Sequence, residues 1–403
     1  METVGPLAGL RVLEIGDFIS VGYAGKLLAD LGADVIKIET IRGDAMRHRY
    51  TTPYLTQWNM SKPFLSLNRN KKSISLDIRT DEGKKIVSQL CETADVFILN
   101  MRPGTEKQFE LDFESLFKSN PKLIYVSISG FGSEGPDASL PGYDIVLQAK
   151  SGVLSLRKFP DGTPVPYPIM FSDMSGCMSL SYSVMLALWE REKTGKGQKI
   201  ECSLFNQALA MQMQQLIWIE NDQGSLPGNA PSAMASCYEC FDDKWIAIVV
   251  MESNQWAGLC RVLDIEHLID DPDYSSYENR VKNASDLAEL FRAIFPTKNS
   301  DYWIDKLNYE GIPCSIVQER DDLLDDAQVI SNKMIATDIH PKVGNVSYVM
   351  PPFKMSQHDY IESARLPAPL LGEHTKEILK DLGYHDEEIQ SFLDRNIVNE
   401  NIE

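Results

Sequence analysis

Asp173 is the residue whose setting best suits covalent chemistry. It stands in Phe171-Ser172-Asp173-Met174-Ser175-Gly176, after a proline-rich stretch and just ahead of a long apolar segment that reads as a helix from about Met174 to Lys193. Aspartate and serine at such a place are also good N-caps, accepting bonds from the first free N–H groups of a helix. The two roles are compatible in part, because a helix start keeps a carboxylate ionised through its dipole and its N–H donors. An ionised, partly desolvated carboxylate is a nucleophile. Residue type leaves cap and nucleophile both open.

Other motifs carry less. Gly130-Phe131-Gly132-Ser133-Glu134-Gly135 has the GxGxxG spacing and follows the strand-like LIYVSIS. A dinucleotide fingerprint needs a helix opening at the third glycine, and Pro136, Pro141 and Gly142 stand against one. The segment reads as a glycine loop, either a plain turn or one whose N–H groups approach a ligand. Thr194-Gly195-Lys196-Gly197 lacks phosphate-loop spacing and reads as a helix stop. Cys237-x-x-Cys240 has no second pair and no histidine at ligand spacing, and the six histidines are dispersed, so no metal site is expected. Basic residues fall near strand ends in Asn70-Lys71-Lys72 leading to Leu76-Asp77-Ile78-Arg79, and in Asn100-Met101-Arg102-Pro103-Gly104. Such ends are where open α/β sheets bind ligands, so these charges are either a solvated face or a seat for a phosphorylated molecule.

The elements that must position these residues alternate. RVLEI, ADVIKIE, SISLDI, DVFILN and KLIYVSIS are strand-like and are separated by helical stretches, the pattern of a parallel, doubly wound sheet. At 403 residues two domains are expected. The reading is a large Rossmann-like domain over 1–220, a polar linker at 221–233 and a small α+β domain over 234–318. A returning linker at 319–350 then leads to a large-domain tail at 351–403, with Ile378, Leu379 and Leu382 on one helical face. A net charge of −19 disfavours nucleic acid. No apolar run approaches the roughly 20 residues that span a bilayer, so no membrane partner is expected. The N-terminal sequence does not read as a signal peptide and the seven cysteines are irregularly spaced, which together suggest a cytoplasmic chain without disulfides.

Taken in order, LAGLRVLEIG, LLADLGADVIKIE, NKKSISLDIRTDEGKK, ADVFILNMRPG, SISGFGSEGP, GYDIVLQAKSG, FSDMSG, TGKGQKIECSLFNQAL, EGIPCSIV and LLGEHTKEILKDLG resemble the class III CoA-transferase family. That family is of the formyl-CoA transferase and carnitine CoA-transferase type and is related to α-methylacyl-CoA racemase. The resemblance spans nearly the whole chain. It implies an interlocked homodimer, or pairing with a homologous subunit. It also implies coenzyme A as co-substrate with no permanently bound cofactor, and an acyl-CoA and a carboxylic acid as the exchanging partners. Asp173 matches the aspartate that attacks the thioester. Leu76, Asp77, Ile78, Arg79, Asn100, Met101 and Arg102 match segments that line the CoA nucleotide, and Lys107 and Tyr143 are grouped with them. Ile19, Ser20, Tyr143 and Asp144 fall at the acyl end. In the racemases a histidine stands at the Tyr143 position, so Tyr143 points to transfer rather than epimerisation. Ile19 replaces a glutamine of formyl-CoA transferase, which implies a less polar acyl pocket. The alternatives are an acyl-CoA α-carbon epimerase, or a CoA-binding subunit that supports a catalytic paralogue.

Overall fold

The computed structural model describes residues 5–221, 232–358 and 366–400. Its first element, β1 (Arg11–Ile15), sits at the middle of a seven-stranded sheet with β2 (Asp34–Glu39), β3 (Lys71–Leu76), β4 (Val96–Leu99), β5 (Ile124–Ser129) and β6 (Gln198–Ser203). The spatial order is β12-β3-β2-β1-β4-β5-β6, and every pairing is parallel except that of β12 (Val398–Asn399), which runs antiparallel to β3. The order reverses at β1, and ligands of open parallel sheets bind in the crevice beyond such a switch point.

Parallel strands read as continuous apolar runs because helices cover both faces. One face buries Val12, Val35, Ile98 and Val126 against the helix Ile19–Ala29 and the long helix Phe171–Thr194. The other buries Leu13, Ile36, Ile74, Phe97 and Tyr125 against the helix Asp81–Thr93 and the C-terminal helices Thr375–Asp381 and Asp386–Asp394. Ile378 and Leu379 are buried there, as their spacing predicts.

The chain divides into two compact units, Met1–Trp218 with Ser331–Glu403, and Ile219–Ile330. The second unit holds the antiparallel strands β7 (Ala235–Glu239), β8 (Trp245–Val249) and β9 (Cys314–Ile316). Its core includes Tyr238, Trp256, Phe291, Phe295 and Trp303, with the Tyr238 ring stacked on Phe295 at 4.8 Å. Most of the stretch 221–233 read as a linker lies outside the described residues. The stretch 319–350, also read as a linker, carries structure of its own, a hairpin of β10 (Ile335–His340) and β11 (Gly344–Val349). Gly344 at φ 79° supplies the left-handed residue at its turn.

Candidate active site

Beyond the C-terminal ends of β1 to β5 lies a cleft of 380 Å³. Its walls include Ser20, Leu76, Ile78, Asn100, Met101, Arg102 and Tyr143, so six of the residues expected at CoA, and Ser20, share one cavity. They meet at the ends of neighbouring parallel strands: Ser20 opens the helix after β1, Leu76 ends β3 with Ile78 just beyond it, Asn100 to Arg102 follow β4, and Tyr143 is the N-cap residue of the first helix after β5. The glycine loop closes one side. A Cβ on Gly130 would lie 2.6 Å from the Gly142 Cα, so the two glycine backbones are in direct contact there. No helix opens at Gly135; the next one is Asp144–Lys150. The GxGxxG segment is therefore not a dinucleotide fingerprint in three dimensions either.

A strained turn leads from β1 into the helix Ile19–Ala29. Gly16 at φ 152° has no room for a side chain, since its Cβ would meet the Asn100 amide oxygen at 2.1 Å. Phe18 adopts φ 69° and ψ −149°, a conformation that costs a non-glycine residue about 1–3 kcal/mol and must be held by its surroundings. The Asn100 amide nitrogen donates to the Asp17 carbonyl at 2.7 Å, and the Phe18 N–H donates to Asp44 at 3.4 Å. The Phe18 ring meets Tyr143 edge-on with centroids 6.0 Å apart.

Beneath this turn lies a buried ionic network. Lys37 pairs with Asp44 at 2.8 Å and Glu14 at 3.3 Å, and donates to the Gly16 carbonyl. Lys71 donates to both Glu14 oxygens, the Gly22 carbonyl and Asn68 at 2.7–2.9 Å. Arg47 grips Glu39 with two bonds of 2.7 Å. Burial alone raises a carboxyl pKa, yet Arg47 and Lys37 overcome it and hold Glu39 down at about 2. Burial takes the Lys71 ammonium down to about 8 against the pull of Glu14. Ion pairs this deep contribute little net stability but fix geometry, and here that geometry sets the Gly16–Ser20 turn.

The turn delivers Ser20 to Asp173. The Ser20 hydroxyl donates to Asp173 Oδ1 at 2.8 Å. Asp173 is half-buried, in the first turn of the long helix, which starts at Phe171 rather than Met174. The cap position is Met170 and no side chain caps it, so Asp173 is not the N-cap. Desolvation raises its pKa to about 6, the Ser20 bond opposes that rise, and the Asp144 carboxylate adds to it. At neutral pH roughly nine-tenths of it is ionised. The arrangement is an accessible carboxylate with one oxygen tethered and the other without a hydrogen-bond partner among the described residues, able to attack a carbonyl carbon.

Several expected residues lie elsewhere. Asp144 is buried and does not line the cleft. Its carboxylate accepts from the Ser172 N–H at 2.9 Å, from the Ser172 hydroxyl and from Gln148, which ties two helix starts together. Asp77 and Arg79 bind each other at 2.7–2.8 Å outside the cleft wall, with Arg79 exposed. Lys107 lines an adjoining pocket of 220 Å³. Ile19 faces a separate apolar groove. Lys71 and Lys72, read as near a ligand-binding strand end, stand at the start of β3, the opposite end from Leu76; Lys71 is consumed by the buried network and Lys72 pairs with Glu377. Among the described residues no group of side chains suits a metal ion. Phe18, Asp17 and Asp44, which line the cleft, are missed by sequence reasoning, since nothing marks a phenylalanine for left-handed backbone.

Known proteins place the chain. The family model described as CoA-transferase family III matches residues 7–375. The chain is 32% identical over 390 residues to the succinyl-CoA:glutarate CoA-transferase of Mus musculus, covering 96% of this chain and 88% of that protein. It is 30% identical over 398 residues to the (R)-2-hydroxy-4-methylpentanoate CoA-transferase of Clostridioides difficile, covering 97% and 99%. Among solved structures, Rv3272 of M. tuberculosis superposes with a TM-score of 0.82 at 26% identity, over 93% of this chain and 99% of that one. A CAIB/BAIF family protein from Brucella suis gives 0.80 at 29% identity, over 94% and 99%. With its sheet order, its strand-end cleft and matches of this length in agreement, the chain belongs to the family III CoA-transferases.

Proposed function

We propose that this CoA-transferase works through a covalent intermediate on Asp173, moving CoA from an acyl-CoA to a free carboxylic acid. The observation that carries this reading is the partly buried Asp173 carboxylate, one oxygen held by Ser20, which itself lines the cleft. The other oxygen attacks the thioester carbonyl; the C–S bond breaks, CoA leaves as thiolate, and an acyl–aspartyl anhydride remains. The thiolate then attacks the aspartyl carbonyl, releasing the first acid as its carboxylate and leaving an aspartyl-CoA thioester. An incoming carboxylate attacks that thioester, and the same two steps in reverse give the new acyl-CoA and free Asp173. Each step displaces one anionic leaving group by another and the net reaction exchanges one carboxylate for another at nearly equal energy, so no oxidant, reductant or net proton is required.

In this reading Leu76, Ile78, Asn100, Met101, Arg102 and Tyr143 hold the CoA moiety. Arg102 is exposed with no ion pair among the described residues, so its charge is available to a phosphate. The relatives named above transfer CoA among succinate, glutarate and a branched hydroxy acid, which fits the reaction class. Two copies are taken to associate, or one copy with a homologous chain. The test uses a panel of acyl-CoA donors and acids in heavy water with wild type and Asp173→Asn. Transfer by wild type and none by the variant is expected. Deuterium entering at the α-carbon without an acceptor acid would instead show an epimerase, and CoA binding without any turnover would show a supporting subunit.

A further inference from the structure

Asp173 lines neither of two cavities, but its hydrogen-bond partner lines one and its helix neighbours line the other. Ser20 on one side lines the cleft, while its neighbour Ile19 lines a groove of 990 Å³. Met170 and Met174, one helical turn apart and bracketing Asp173 in sequence, line the same groove, together with Leu55 and Val346. Its lining is dominated by apolar side chains, and among the described residues its one charged member, Lys62, is exposed. A thioester carbonyl has two substituents. With the sulfur arriving from the cleft and the carbon at Asp173, the acyl chain has the groove as its apolar place to go.

We propose that this groove is the acyl pocket and that the acid exchanged here is an apolar monocarboxylate of several carbons, straight or branched. The inference rests on the transferase reading and adds the substrate class to it. Burying each methylene in such a groove strengthens binding about fourfold. Methionine walls adapt to chain shape, which admits branched chains. A distal carboxylate would be desolvated with no buried cation to receive it, so dicarboxylic acyl chains are disfavoured.

The experiment measures binding first, so that it does not depend on turnover. Asp173→Asn protein is titrated calorimetrically with acetyl-, butyryl-, pentanoyl-, hexanoyl- and glutaryl-CoA, alone and with Met174→Gln or Leu55→Asn added. Affinity is expected to climb about fourfold per methylene at most, with glutaryl-CoA weaker than pentanoyl-CoA. Either added substitution should flatten the ladder while acetyl-CoA binding shows that the protein is folded. A flat ladder, or glutaryl-CoA binding more tightly than pentanoyl-CoA, overturns the proposal. So does a change in oligomeric state in the substituted proteins with the ladder unchanged, which would make the groove a contact between copies. A rising ladder in a protein whose wild type transfers nothing would leave the groove assignment standing and remove the transferase chemistry from it.

Discussion

Burial costs the Asp173 carboxylate more than the Ser20 hydroxyl offsets, and its pKa of about 6 records the balance. In the unfolded chain the same carboxyl titrates near 3.8. The folded state therefore bears the full cost of the charge above pH 6, about 3 kcal/mol at most, and none of it below 3.8. Asp173→Asn should accordingly abolish transfer and at the same time stabilise the fold by up to about 3 kcal/mol at pH 7.5, a gain that disappears near pH 4. Urea unfolding at the two pH values checks the sign; a destabilised variant at the higher pH would show that the carboxylate serves the fold. Because the nucleophile must be ionised, kcat/KM should fall about tenfold per unit below pH 6. Removing the donor in Ser20→Ala should move that acidic limb upward, and Ser20→Thr should restore it. A limb unmoved by Ser20→Ala would mean that some other group titrates.

At the scale of elements, the site depends on where chain segments touch. Gly130→Ala would drive a methyl group into the Gly142 backbone. The expected loss is about 1–3 kcal/mol of stability, with weaker CoA binding because the loop beside Tyr143 is displaced. Lys71→Met leaves Glu14 with Lys37 alone, at 3.3 Å, and should cost about 3–5 kcal/mol in a urea titration. The strands β1 to β5 were legible in the sequence because short β-branched runs alternate with helical stretches, the pattern of parallel strands joined by crossover helices, and the C-terminal helix because Ile378 and Leu379 share a face. Other features had no local signal. Lys71 looks like a surface charge until Glu14, Gly22 and Asn68 arrive from other parts of the chain. The long helix starts early because Asp144, 28 residues upstream of Ser172, supplies an acceptor for its first turn. Asp173 itself was ambiguous between cap and nucleophile by residue type; the family resemblance pointed to it, and the Met170 cap position removes the capping role. The groove joins Ile19 and Met174 to Val346 on the β10–β11 hairpin, a juxtaposition that no spacing within one segment encodes.

For the whole molecule, the long helix exposes Met178, Tyr182, Met185, Leu186 and Trp189, which follow one another at steps of three, four or one and form one apolar face. An exposed face of that kind suits an association surface, and we propose that a second copy of the chain covers it. Sedimentation equilibrium should find a dimer, and Tyr182→Glu with Trp189→Glu should weaken it; a wild-type monomer at micromolar concentration would contradict the assignment. Covalent capture during turnover tests the aspartyl intermediate itself. Wild-type protein is mixed with a reactive acyl-CoA, quenched with hydroxylamine or borohydride and mapped by peptide mass. One modified residue, Asp173, is expected, with no modification in the absence of thioester. A label on any other residue, or full turnover with none, would contradict that intermediate.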